Sequence, residues 1–138
     1  MAADLHGLLD DLAAETQVLD GLVAGLDEAG WQRPTQSPGW SIHDQVTHLA
    51  YFDETAALSA ADPDRFRAEA AALMEAGDGF PDEIAQRYRG LGPAGALAWF
   101  RRARAGYLGT FRGLDARQRL PWYGPDMSAA SSVTARLM

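Results

Sequence analysis

The stretch Leu5-His6-Gly7-Leu8-Leu9-Asp10-Asp11-Leu12-Ala13-Ala14-Glu15-Thr16-Gln17-Val18-Leu19-Asp20-Gly21-Leu22-Val23-Ala24-Gly25-Leu26 decides the fold class. Within it Leu5, Leu8, Leu9, Leu12, Thr16, Leu19, Leu22, Val23 and Leu26 recur at spacings of three and four, an apolar stripe about six turns long. A strand alternates with a period of two, so a stripe of this kind belongs to a helix. Asp4 stands where an N-cap accepts a backbone amide, and Gly30 where a left-handed residue closes a helix. Asp10, Asp11 and Gln17 fall on the opposite, solvated face.

Breakers come next. In Gly30-Trp31-Gln32-Arg33-Pro34-Thr35-Gln36-Ser37-Pro38-Gly39-Trp40 the prolines fix φ and push Arg33 and Ser37 into extended conformations, so the stretch reads as non-helical. Its two tryptophans imply that it packs down onto the rest of the molecule. Ser41 and Asp44 form a capping pattern that opens a second long helix with Ile42, Val46, Leu49, Phe52 and Ala56 inward. Asp53 falls in the middle of that stripe, where a carboxylate needs a partner.

Asp62-Pro63 caps and opens a shorter helix with Phe66, Ala70, Leu73 and Met74 inward, ended by Gly77 and Gly79. Residues 81–88 read as a helical turn or two inside a long crossover. Gly92-Pro93 opens another long helix that buries Leu97, Phe100, Tyr107, Leu108 and Phe111 and closes at Gly113. The loop Pro121-Trp122-Tyr123-Gly124-Pro125 is rigid and aromatic. Ser128 caps a last helix with Val133, Thr134, Leu137 and Met138 on one face. Eleven residues make roughly 16 Å of helix, against nearly 40 Å for the first, and the apolar stripe is still running at Met138. The expectation is one all-α domain, residues 1–138, incomplete at its C-terminus.

Composition bounds the chemistry. With 138 residues and nearly half of them apolar, a single core is within reach. No cysteine is present, which excludes disulfides, a thiolate nucleophile and a Cys-based zinc site. A net charge of −7 argues against nucleic acid, whose phosphates need a positive surface. No basic leader precedes an apolar run, and no run reaches the roughly 20 residues that cross a bilayer, so a cytoplasmic protein is expected.

Of the three histidines, His6 has no partner in sequence and His43 sits in the first turn of its helix, where exposure is expected. His43 and His48 are five residues apart, about 140° around a helix, and do not ligate one metal from one face. His48 shares a mixed face with Asp44, Tyr51, Phe52 and Thr55; by pattern alone such a residue is more often structural than a ligand. Arg101, Arg104 and Arg112 lie within one helix face and read as a solvated, ion-paired stripe. Asp53 and Glu54 diverge and do not form a carboxylate pair.

The run Trp31-x-x-Pro34-Thr35-x-x-Pro38-Gly39-Trp40-Ser41-Ile42-x-Asp44-Gln45-Val46-x-His48-Leu49 resembles the signature of the DinB-like superfamily branch that holds mycothiol-dependent maleylpyruvate isomerase. Leu120-Pro121-Trp122-Tyr123-Gly124-Pro125-x-Met127-Ser128 and residues 131–138 are similar to a subgroup described as metal-binding proteins. The resemblance implies a four-helix bundle with up-down-down-up order and a helical crossover. It also implies one divalent metal, usually zinc, held by three side chains with an open position, as in catalytic rather than structural sites. His48 matches the first ligand. The other two, a Glu and a His four residues apart on the last helix, are expected just past Met138. The resemblance further implies a thiol cofactor such as mycothiol and a small-molecule substrate, in an isomerase or S-transferase whose site this chain does not complete alone. On that basis Asp53 would orient ligands from behind, and Trp40 and Tyr123 would wall the pocket. A homodimer is left open. The alternative is a non-catalytic helical interaction or dimerisation module in which His48 is incidental. An unfinished stripe favours a longer protein over a degraded relative.

Overall fold

The computed structural model describes residues 4–75 and 77–137. Its elements in order are α1 (Leu5–Ala24), α2 (Glu28–Trp31), α3 (Ile42–Ala61), α4 (Pro63–Met74), α5 (Phe80–Arg87), α6 (Pro93–Arg112), β1 (Arg119–Leu120), β2 (Met127–Ser128) and α7 (Ala129–Leu137). The fold is all-α, with one small antiparallel ribbon pairing Arg119 with Ser128 and Leu120 with Met127.

Side chains set most of the helix starts. The Asp4 carboxylate accepts from the Gly7 amide at 3.0 Å. Ser41 and Asp44 exchange reciprocal bonds at 3.2 and 3.0 Å, so both orphan amides of that turn are satisfied. Asp62 ends α3 and caps α4, with Pro63 at the first helical position. Ser128 Oγ accepts from the Ser131 amide at 3.1 Å and caps α7. The loop before α3 is pinned by an isolated bridge between Pro34 and Ser41, and Gly39 turns it at φ 80°, a conformation that a side chain disfavours.

Two apolar clusters give the bundle its direction. Leu5, Leu9, Leu12, Ala56, Tyr107, Phe111, Ala129 and Val133 fill one end. Val23, Trp31, Val46, Ala50, Leu97 and Phe100 fill the other. α1 and α7 therefore run one way while α3 and α6 run the other, which is the up-down-down-up order. α3 packs chiefly on α6, and α1 touches both α6 and α7. α7 is nine residues, roughly 13 Å, and covers only the first end.

Several expectations are corrected by this packing. Gly30 does not close the first helix: α1 ends at Ala24, and Asp27 starts a separate turn that buries Gly30 and Trp31. The non-helical stretch is therefore shorter than expected and runs from Gln32 to Ser41. Leu22 is 67% exposed although the periodicity puts it on the stripe: in that turn of α1 it is Val23, 4% exposed, that faces the second cluster. Met74 and Thr134 are exposed as well. Met138, also assigned to the last stripe, lies outside the described residues. No helix of the described residues is long and apolar enough to cross a membrane.

Candidate functional site

His48 projects from the second turn of α3 into an aromatic slot. The Trp40 ring meets it edge-on with centroids 5.2 Å apart, and Phe52, one turn along the helix, stands 4.8 Å away. Trp40 is held there because its indole Nε1 donates to Asp82 Oδ1 of α5 at 2.7 Å. His48 Nδ1 is buried and has no hydrogen-bond partner among the described residues. Burial pushes the imidazole pKa down, and the Arg136 charge lowers it further. The ring is therefore neutral at pH 7 and carries a free lone pair, the state a metal ligand needs.

Beneath the slot lies a buried ionic junction. Arg104 of α6 donates from Nε to Asp53 Oδ2 at 2.6 Å, and its Nη1 donates to Thr16 Oγ1 of α1 at 3.0 Å. Arg136 of α7 brings its Nε to 2.9 Å from Asp53 Oδ1 and donates from Nη2 to the Phe52 carbonyl at 2.8 Å. One carboxylate on α3 thus touches α6 and α7 directly and reaches α1 through Arg104. Burial pushes the Asp53 carboxyl up, against the downward pull of the two guanidiniums. The Arg136 guanidinium also sits over Tyr107 and Trp122, 5.6 and 5.5 Å from their ring centres. Tyr107 shares a 3.0 Å hydrogen bond with Ser132 Oγ, and burial pushes its phenol up to about 12.

Residues paired by expectation do not all meet. Tyr123 packs on Phe52, Phe66 and Phe80, and burial raises its phenol to about 12; Phe52 intervenes between it and His48. Trp40 touches His48 directly. His43, expected to be exposed, is 2% exposed: its Nε2 lies 2.6 Å from the Leu91 carbonyl, which it satisfies as donor. His6 lies at the surface. Arg101 and Arg112 form surface pairs with Asp20 and Asp10, whereas Arg104 departs from the solvated stripe because Asp53 draws it inside. Glu54 faces outward and accepts from Trp99 Nε1. An open cleft of about 350 Å³ lies beside His43, lined also by Gln32, Gly39 and Arg89, but Arg89 is spent on Asp44 and the Gly39 carbonyl. Sequence reasoning missed Arg136. Its one signal is an arginine three residues after Val133, on the same side of the helix.

Among the described residues no group of three or more His, Asp or Glu side chains could hold a metal. The slot offers one imidazole, that of His48, close enough to Arg136 of α7 to feel its charge.

Residues 12–138 match the family described as the mycothiol maleylpyruvate isomerase N-terminal domain. The chain belongs to that family. Two curated relatives, uncharacterized proteins from two strains of Mycobacterium tuberculosis, are each 37% identical over 136 residues. Those residues are 99% of this chain and 53% of each relative, so this member of the isomerase N-terminal domain family spans about half their length. The crystal structure of the mycothiol-dependent maleylpyruvate isomerase shares its fold, with a TM-score of 0.69 at 14% identity, over 97% of this chain and 56% of that one.

Proposed function

We propose that the intact protein is cytoplasmic and binds one divalent metal ion, zinc by preference, with His48 as a ligand. A Glu and a His four residues apart, carried on a continuation of α7, supply the rest. The observation behind this reading is the neutral, half-buried imidazole of His48, whose Nδ1 is buried and unpartnered among the described residues, in a chain of this family. α3 and α7 run antiparallel, and His48 lies five residues, about 7.5 Å, from the Asp53 contact with Arg136. On a continued helix, residues about five past Arg136 would come level with it. Three and seven residues past Arg136 lie on the same helix face and bracket that height.

A metal held there would lower the pKa of a thiol bound to it, so that the thiolate would persist at neutral pH. We assign the protein to thiol-dependent isomerisation or S-transfer on a small molecule, with mycothiol as the thiol. In this reading Trp40 and Phe52 exclude water from His48, and Asp53 holds the helix that faces it. Metal analysis of the longer protein tests the assignment: about one equivalent of zinc is expected, lost in His48→Ala. A folded protein that takes up no metal refutes it.

A second reading, a non-catalytic interaction or dimerisation module, draws on Val18 and Leu22, which are 59% and 67% exposed four residues apart on α1. A metal-free dimer broken by Leu22→Glu would favour it.

A further inference from the structure

We propose that the cleft beside His43 binds an uncharged, hydroxyl-rich small molecule, a sugar or cyclitol ring laid against Trp40. The cleft holds about 350 Å³, room for one such ring. Pro34, Gly39, Trp40, Ser41 and Asp44 line it, all from the run that resembles the family signature, and Arg89 completes the wall. Thr35 keeps the loop in shape: its Oγ1 donates to the Trp40 carbonyl at 2.9 Å and accepts from Gln45 Nε2 at 3.2 Å. The Trp40 indole is fixed in turn by its 2.7 Å bond to Asp82.

Charge selects the class of ligand. Asp44 is 3% exposed, and Arg89 donates from Nε and Nη2 to its two oxygens at 3.3 Å each. The pair has no net charge. An added anion would meet Asp44 and an added cation would meet Arg89, each repelled at short range, whereas an uncharged ligand meets neither cost.

Hydrogen-bonding capacity is left over all the same. His43, 2% exposed, gives its Nε2 proton to the Leu91 carbonyl at 2.6 Å, which leaves Nδ1 as an acceptor. Arg89 Nη1 and the Ser41 hydroxyl proton have no partner among the described residues, and both are donors. The Gln32 amide, at the exposed rim, offers one of each kind. Donors and acceptors beside an indole suit a ring of hydroxyls, because each hydroxyl both gives and takes while the ring's C–H face is apolar. The site stands apart from any metal at His48, although Trp40 touches both.

The test uses the full-length protein with excess chelator present, so that metal plays no part. Myo-inositol and methyl glucoside are titrated while the Trp40 indole N–H and the His43 ring nitrogens are followed by NMR. Both rings should shift these resonances saturably, with dissociation constants of about 1 mM or tighter. Anionic glucuronate and protonated glucosamine should bind at least about ten-fold more weakly. The Gln32 side chain makes no hydrogen bond among the described residues, so Gln32→Trp should block the cleft and abolish the shifts while the melting temperature stays within a few degrees. Arg89→Lys keeps a charge beside Asp44 but loses the planar fork, and should weaken both rings at least about five-fold. No saturation below about 10 mM, tighter binding of glucuronate or glucosamine, or binding untouched by Gln32→Trp each overturns the proposal. If Gln32→Trp melts far below wild type, Arg89→Lys decides: unchanged affinity overturns the proposal, and the expected loss sustains it. Neither result bears on zinc uptake, which His48→Ala tests separately.

Discussion

Asp53 and Arg104 face each other across the α3–α6 interface at 2.6 Å, both almost completely buried. Two ions taken out of water are tolerable only as a pair, because each replaces part of the hydration the other has lost. Removing one partner strands the other. Asp53→Asn leaves both Arg104 and Arg136 without a counter-charge and is expected to cost about 3–5 kcal/mol in a urea denaturation. Asp10→Asn, which breaks the solvent-exposed pair with Arg112, should be indistinguishable from wild type. An Asp53→Asn protein of unchanged stability would show that the junction is not dry.

His43 and His48 should respond in opposite directions to the same substitution. His43→Leu removes the donor to the Leu91 carbonyl and should cost about 1–3 kcal/mol, the penalty of an unsatisfied buried acceptor. His48→Leu replaces a buried nitrogen that has no partner and should leave the metal-free protein about 1 kcal/mol more stable. Equal losses at the two positions, measured by chemical denaturation without metal, would contradict the environment described for His48.

Ser41→Ala breaks half of the box that starts α3 and should cost about 1 kcal/mol. Asp44→Ala should cost more, because it also releases Arg89, which donates to both Asp44 oxygens at 3.3 Å. Thermal melts of the two variants test the order, and Ser41→Ala as the more damaging one would reverse the account.

The metal-free protein should lose stability as the pH drops below about 6.5, the ordinary value for histidine. Burial lowers the folded pKa of His48, so in that window the unfolded chain binds the extra proton and is favoured. The loss levels off once the pH passes below the depressed folded pKa. His48→Leu should flatten the slope between pH 7 and 5. A wild-type curve that stays level across that range would mean the imidazole is solvated.

The helical elements were legible because each is written locally. Asp4, the Ser41–Asp44 box, Asp62-Pro63 and Ser128 all act within one turn of the helix they start, and all stand where expected. Gly30 misled because Asp27 offers a competing cap just before it, which turns a helix end into a fresh helical turn. The core position of Asp53 was readable, and so was its need for a partner. Which partner was not: Arg104 and Arg136 lie 51 and 83 positions away in sequence, and nothing local separates them from surface arginines.

Sequence alone determined an all-α bundle, the order of its helices and the family to which it belongs, since periodicity, caps and a signature loop are properties of neighbouring residues. Only the tertiary structure decided that His43 is structural, that Arg104 and Arg136 converge on Asp53, and that His48 keeps an unsatisfied nitrogen beside α7. The reason is desolvation: burial is set by what packs over a residue from elsewhere in the chain, and it alone separates a solvated charge from a buried one.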